Sequence, residues 1–96
     1  MYAVIFKATI NQFDKDYMRI AARMRDLAKE KYGCIEFTST TEGNEEIAIS
    51  YWPGLKNIRD WKANPEHMKA QELGKQQYYK DYQVEVVEVL RRYANS

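Results

Sequence analysis

The chain has 96 residues, of which 45% are hydrophobic and 30% charged, with fifteen lysines and arginines against fourteen aspartates and glutamates. This length fits a single domain over residues 1–96, the composition argues against disorder, and the balanced charge excludes the basic field that drives nucleic-acid binding. No apolar run approaches the roughly 20 residues that cross a bilayer, so we expect a cytoplasmic protein that binds neither nucleic acid nor membrane.

A chain this short has a marginal core, because it buries only about 60–65% of the surface that it exposes when unfolded. Its single cysteine, Cys34, cannot form an internal disulfide and is interpreted as an ordinary, partly buried thiol. Its single histidine, His67, cannot build a cysteine–histidine zinc site, so we expect no metal. A partner subunit is therefore the remaining source of additional burial.

The first elements are a strand and a helix. Residues 2–10 are rich in apolar and β-branched side chains, which predicts a strand. Asp14 is the expected N-cap of the helix that follows, with Phe13 and Met18 as a hydrophobic staple across its start. Gly33 is the expected end of that helix.

A hairpin, two helices and a last strand follow. In chain order we predict strands at 34–41 and 46–52, helices at 55–62 and 65–79, and a strand at 82–90. Within the hairpin, Ile35 and Phe37 are expected to share one face of their strand. Alternation in the next strand separates Ile47, Ile49 and Tyr51 from Ala48, Ser50 and Trp52.

This order of elements predicts an α+β protein of the ferredoxin-like βαββαβ class, with the helices on one face of a four-stranded antiparallel sheet. The other face would be open to solvent. The first, third and fourth strands nevertheless carry apolar side chains on both faces, as the valines of residues 82–90 illustrate. An apolar face of this size marks an interface, and a second copy is its simplest cover, so we expect a homodimer.

The segment from Ser50 to His67 contains the candidate catalytic residues. Asn57 and Trp61 are four residues apart, so they share one side of a helix. His67 lies in the first turn of the next helix, where free N–H groups and the positive dipole end favour a neutral imidazole. A neutral imidazole can accept a proton or ligate a metal, Asn57 can orient a carbonyl or phenol, and Trp61 can stack on an aromatic substrate.

A purely structural interpretation of these three residues is equally simple: the indole packs in the core, the amide is solvated and the imidazole caps a helix. The candidate substrate-binding residues are Tyr51 and Trp52 of the third strand together with Tyr78 and Tyr82 near the end of the last helix. Buried phenols need hydrogen-bond partners, so several of the eight tyrosines are expected at a pocket or interface. We expect most of these tyrosines to have a packing role and the others to contact a ligand.

At these residues the chain resembles the antibiotic biosynthesis monooxygenase family, small proteins that form a dimeric α/β-barrel. The resemblance covers nearly the whole chain and is carried by these features: the opening strand, Ile49–Trp52, the helix with Leu55, Ile58 and Trp61, the start of the next helix at His67, and residues 71–82. It implies the dimer and a cavity for a small aromatic molecule.

Two branches of that family imply different chemistry. Cofactor-independent members oxidise electron-rich phenols with O₂ through an Asn, a Trp four residues later and a Tyr six beyond it. Asn57 and Trp61 match this pattern, whereas His67 stands in place of the tyrosine. The haem-degrading branch has an Asn on its first strand and an axial His, but here the spacing from Trp61 to His67 is shorter and the first asparagine is Asn11.

We therefore expect a monooxygenase without a cofactor that acts with O₂ on a small aromatic or quinol-like substrate, with Asn57, Trp61 and His67 as its catalytic residues. A haem-binding, haem-degrading monooxygenase and a non-enzymatic dimeric binding protein are the alternatives. An RNA-recognition domain has the same order of elements, but the central strands here lack its aromatic and basic motif.

Overall fold

The computed structural model describes residues 1–12 and 14–95. Its elements are β1 (Tyr2–Ile10), α1 (Lys15–Lys31), β2 (Glu36–Glu42), β3 (Glu45–Trp52), α2 (Leu55–Lys62), α3 (Pro65–Leu73), a π-helical segment (Gly74–Tyr78) and β4 (Tyr79–Glu88). The strands form one antiparallel sheet in the order β2-β3-β1-β4. The predicted α+β, ferredoxin-like architecture is confirmed.

Helix α1 starts and ends where its sequence predicts. Asp14 has extended backbone angles, and its Oδ1 accepts a hydrogen bond from the Tyr17 N–H at 2.8 Å. Gly33 follows the helix with φ +76°, a conformation that L side chains rarely adopt. Phe13, one member of the predicted hydrophobic staple, lies outside the described residues.

The start of β2 differs from the prediction. The strand begins at Glu36, and Cys34 and Ile35 instead connect it to α1, with the Cys34 N–H bonded to the Ala28 carbonyl at 3.1 Å. Ile35 is 53% exposed and therefore does not share a buried face with Phe37. Cys34 itself is buried, and its thiol contacts the Glu36 carbonyl at 3.3 Å.

The end of the last helix was also predicted wrongly. Regular α-helix stops at Leu73, the chain continues as a π-helical segment to Tyr78, and β4 begins at Tyr79 rather than three residues later. The sequence predicted a longer helix because residues 65–79 contain no proline after Pro65 and no strong turn signal. In the structure the helical pitch changes at Gly74.

Strand register decides which side chains lie beneath the helices. β1 pairs with β3 so that Val4 is opposite Ser50, Phe6 opposite Ala48 and Ala8 opposite Glu46. Side chains alternate along a strand, so one face of β3 presents Glu46, Ala48, Ser50 and Trp52 to the helices, and the other presents Ile47, Ile49 and Tyr51. We call these the inner and outer faces of the sheet.

The core divides into two clusters beneath the helices. The larger cluster comprises Val4, Met24, Leu27, Ala28, Cys34, Trp52, Ile58 and Trp61. The smaller cluster comprises Ile10, Tyr17 and Tyr78. Members of both line the cavity that is the candidate site.

Residues after β4 cross part of the outer face. The Val89 N–H donates to the Met1 carbonyl at 3.0 Å, and the Arg92 guanidinium lies 5.0 Å from the ring centroid of Tyr51. At the other end of this face Ile47 is 44% exposed. The described helices include none long and apolar enough to cross a membrane. The homodimer stays a prediction.

Candidate active site

A cavity of about 440 Å³ lies between the inner face of the sheet and the helices. Its floor is formed by Val4 and Phe6 of β1 and by Ala48 and Ser50 of β3, and α1 and α3 form its sides. The volume falls within the range of small-molecule sites, and such sites combine apolar walls with a few polar groups. Two hydrogen-bonded groups of side chains, one around His67 and one around Glu46, lie in separate parts of its wall.

One end of the cavity is a stack of three rings. Trp52 lies beneath Trp61 with a centroid distance of 5.0 Å, and the imidazole of His67 stacks on Trp61 at 4.0 Å with the ring planes 19° apart. Trp52 is fully buried and its Nε1 donates to Ser50 Oγ at 2.9 Å. The stack therefore rests on an indole that is fixed by both packing and a hydrogen bond.

The hydrogen bond of His67 determines its tautomer. Nδ1 lies 3.1 Å from the Trp61 carbonyl oxygen, which can only accept, so we infer that Nδ1 carries the proton. Burial lowers the pKa of His67, and the positive charge of Lys62 lowers it further, against the opposing effect of the carbonyl. The ring is therefore neutral at pH 7 with Nε2 as a proton acceptor. The sequence predicted neutrality from the helix dipole, whereas burial is the main cause.

The turn that carries His67 is fixed by an asparagine cap. Asn64 Oδ1 accepts from the N–H groups of Glu66 and His67 at 2.8 and 3.1 Å, and its Nδ2 donates to the Tyr32 hydroxyl at 2.9 Å. An ion pair between Arg23 and Glu66 at 2.8 Å also joins α1 to α3, although a pair this exposed contributes little. The cap therefore holds the imidazole in position relative to both helices.

Trp61 carries an unsatisfied donor. Within the described parts of the chain, its Nε1 is the one buried side-chain nitrogen or oxygen that has no hydrogen-bond partner. Leaving such a group unpaired costs about 1–3 kcal/mol. An orphaned polar group in the wall of a cavity calls for an explanation, and a functional role is one of the recognised explanations.

The other end of the cavity is a cluster of two phenols and a carboxylate. The Tyr17 hydroxyl donates to Glu46 Oε2 at 2.8 Å, and the Tyr79 hydroxyl lies 3.4 Å from the Tyr17 oxygen. A carboxylate can only accept, so the proton of Tyr17 points to Glu46 and Tyr79 is the donor towards Tyr17. Burial raises the pKa of Glu46, against the opposing hydrogen bond from Tyr17. Burial also raises the pKa values of both phenols.

The sequence does not predict this cluster, because its members come from α1, β3 and β4 and no spacing rule links them. One signal was available. Glu46 lies on the same strand face as Ala48, Ser50 and Trp52, which are small or apolar, so a carboxyl among them is out of pattern.

The π-helical segment places the two tyrosines at its end. A π turn adds a residue to the helical turn, and here Tyr78 is buried and Tyr79 half-buried, so both consecutive rings face the interior. A Cβ built on Gly74 would lie 2.5 Å from Tyr79 Cε2. Only glycine lets the ring of Tyr79 lie against the helix backbone, which explains its presence inside a helical stretch.

The structure brings four of the seven predicted site residues to the cavity: Trp61, His67, Tyr78 and Tyr82. Trp52 lies behind Trp61 in the core. Tyr51 points to the outer face because side chains alternate along β3. Asn57 is turned towards the end of α1, where its Nδ2 donates to the Tyr32 carbonyl at 3.1 Å.

Basic side chains also line the cavity. They are Arg25, Lys62 and Lys75, and none forms an ion pair with another described residue. Glu46 is the single acidic side chain among the described lining residues. Over residues 1–12 and 14–95, no three histidine, cysteine or carboxylate side chains come together as a metal site. The cations give the cavity a positive local field that attracts anionic groups.

The chain matches no family model. It is 35% identical over 92 residues to YqjZ, an uncharacterised protein of Bacillus subtilis, and the match covers 95% of this chain and 81% of that protein. A relative this similar over this length shares its family.

Solved structures share the fold at low sequence identity. A mutant of SnoaB, a cofactor-independent oxygenase from Streptomyces nogalater, has a TM-score of 0.83 with 13% identity, covering 98% of this chain and 97% of that one. Rv0793 from Mycobacterium tuberculosis has a TM-score of 0.81 with 14% identity, covering 97% and 98%. A protein described as an antibiotic biosynthesis monooxygenase has a TM-score of 0.76 with 12% identity, covering 95% and 100%. The chain therefore belongs to the same family as YqjZ and has the fold of the antibiotic biosynthesis monooxygenases, the family that its sequence resembles.

Proposed function

We propose that the protein is a cofactor-independent monooxygenase that oxidises a small aromatic or quinol-like molecule with O₂ inside the cavity. The observation that carries this proposal is the neutral imidazole of His67, stacked on Trp61 in the wall of a mainly apolar cavity. Likeness in fold to a cofactor-independent oxygenase supports it. Trp61 shapes the apolar wall beside the reacting ring.

The chemistry needs a base and a dry site. His67 Nε2 takes the proton of a hydroxyl, and the electron pair stays on the substrate oxygen, which makes the ring electron-rich. When a ring CH₂ becomes C=O, one atom of O₂ enters the product and the other leaves as water. The carbon supplies all four electrons, so no external reductant is needed. A well-placed base contributes roughly 10²–10⁴-fold to the rate.

The test is O₂ consumption with dithranol, an oxidisable phenolic anthrone. We expect His67→Ala to lower kcat about 100-fold because the base is lost. We expect Trp61→Phe to lower it by a smaller factor because the imidazole loses part of its stacking surface. Lys69→Ala, an exposed change two residues from the histidine, is the control and should leave the rate unchanged. Full activity of both site variants would remove His67 and Trp61 from the reaction.

The two alternatives predict different results in the same samples. Haem binding predicts a Soret band on adding haemin that disappears in His67→Ala. A binding protein without turnover predicts that dithranol raises Tm while no O₂ is consumed. Our proposal predicts O₂ consumption without haemin.

We also infer that two copies associate through the outer face. Apolar side chains are exposed on that face, with Ile47 at 44% and Val87 at 37%. A second copy would bury these groups. We expect a dimer in sedimentation velocity at micromolar concentration, and a monomer after Ile47→Lys. A wild-type monomer under those conditions would contradict the inference.

A further inference from the structure

The two polar ends of the cavity lie far apart along β3. Ser50, which holds Trp52 under the ring stack, is four residues from Glu46 on the same strand face. At about 3.3 Å per residue this separation is roughly 13 Å. Both residues line one cavity, so its floor is long and has a polar group at each end.

The carboxylate of Glu46 has an oxygen available to a ligand. Oε2 accepts from Tyr17, whereas Oε1 has no partner among the described residues and is not enclosed. No described cation lies within ion-pairing distance of the group. Placing a half-buried carboxylate in a cavity wall without a counterion is costly, and its hydrogen bond from Tyr17 offsets only part of that cost.

Flat apolar surfaces flank this carboxylate. The ring centroid of Phe6 lies 6.1 Å from that of Tyr82, with the two ring planes nearly parallel, and 5.2 Å from the ring centroid of Tyr79. Aromatic rings pack well on such surfaces in offset or edge-to-face geometry.

We propose that Glu46 is a substrate-binding residue whose free carboxylate oxygen accepts a hydrogen bond from a hydroxyl at the far end of an elongated aromatic substrate. Tyr17 holds the carboxylate in place, and the Tyr79 hydroxyl in turn contacts the hydroxyl of Tyr17. The substrate class is an extended aromatic with hydroxyls at opposite ends, one facing His67 and one facing Glu46. This proposal rests on the proposed function, because it assigns the same cavity to the same kind of molecule.

Binding of two probes without O₂ tests the proposal independently of turnover. The probes are 4,4′-dihydroxybiphenyl, with a hydroxyl at each end, and 4-hydroxybiphenyl, with one. A hydrogen bond to a charged group in a partly buried site is worth about tenfold or more in Kd. We therefore expect the wild-type protein to bind the first probe at least tenfold more tightly, and Glu46→Gln to lose this preference.

The chain offers a matched control for that variant. Glu45 is adjacent in sequence, lies on the opposite strand face and is exposed, so Glu45→Gln should keep the full preference. A preference that survives in Glu46→Gln, or is absent from the wild-type protein, would overturn the role of Glu46. Dithranol oxidation that depends on His67 would still stand in that case.

Discussion

The two ends of the cavity are built in different ways. The ring stack of Trp52, Trp61 and His67 comes from one stretch of the chain and is held by packing and a local asparagine cap. The phenol–carboxylate cluster joins Tyr17 to Glu46 across α1 and β3, and depends on hydrogen bonds between elements. The first end is therefore set by local sequence, whereas the second exists only when the sheet and helices have assembled.

Burial acts on the titratable group of each end in opposite directions. It lowers the pKa of His67 and raises the pKa of Glu46, so both groups move towards their neutral forms. Groups whose environments shift them in this way are candidates for acid–base and binding roles. The comparison teaches that one cavity can hold a base at one end and an acceptor for a fixed hydroxyl at the other.

Removal of the support under the ring stack should have the largest effect. Trp52→Ala deletes a fully buried indole and should cost about 3–5 kcal/mol, a large part of the stability of a small domain. Tyr82→Ala, at the other end and 44% exposed, should cost at most about 1 kcal/mol. Denaturant unfolding measures both. Equal losses would show that the two ends are supported alike.

Gly74→Ala should damage the phenol end selectively. The new methyl would overlap the ring of Tyr79, so we expect a loss of about 1–3 kcal/mol instead of the usual gain of alanine in a helix. Thermal unfolding gives the sign of the change. In a Tyr79→Ala background the same substitution should become neutral or stabilising, and a loss that persists there would refute the contact as its cause.

Asn57→Ala tests whether this residue takes part in the reaction, as the family pattern implies, or supports the packing of α2 on the end of α1, as its hydrogen bond indicates. The amide donates to the Tyr32 carbonyl at the end of α1, so its removal should cost about 1 kcal/mol of stability. Because the side chain does not line the cavity, we expect kcat with dithranol to stay within twofold of wild type. A fall of tenfold or more at a temperature where the variant is folded would return Asn57 to the reaction.

The smallest effect is the pH response of His67. It is the single histidine, so its NMR signals report its pKa directly, and we expect a value below the ordinary 6.5. The unfolded chain takes up this proton near pH 6.5, whereas the folded protein takes it up only at lower pH. Stability therefore falls as pH drops below about 6.5 and is fully present above it. His67→Gln should show a shallower fall, and an unchanged slope would argue against the buried neutral ring.

The elements that the sequence predicted well are those with local signals. Asp14, Gly33 and the Asn64–Pro65 pair set helix ends through caps that depend on neighbouring residues only, and α2 and β1 match their predicted bounds. Trp61 was singled out by its helical spacing from Asn57, and His67 by its position after the Asn64–Pro65 pair; both line the cavity. Local chemistry was sufficient for this end of the site.

Tertiary contacts decide the parts that the sequence did not predict. The π-helical segment depends on the ring of Tyr79 packing against Gly74, and the site role of Glu46 depends on a phenol 29 positions earlier in the chain. Asn57 has the helical spacing of a site residue, but the Tyr32 carbonyl offers it a closer partner. Periodicity predicts which side chains share a face of a helix or strand, but it does not predict which residues pack against that face.

Both tryptophans of the chain belong to the ring stack, and none lies near the phenol–carboxylate cluster. Intrinsic fluorescence is therefore a one-sided reporter: a ligand that settles against the imidazole should alter the emission spectrum, whereas one confined to the tyrosine-rich side should leave it nearly unchanged. The molecule carries a built-in optical probe that distinguishes the orientation of a bound compound without any label.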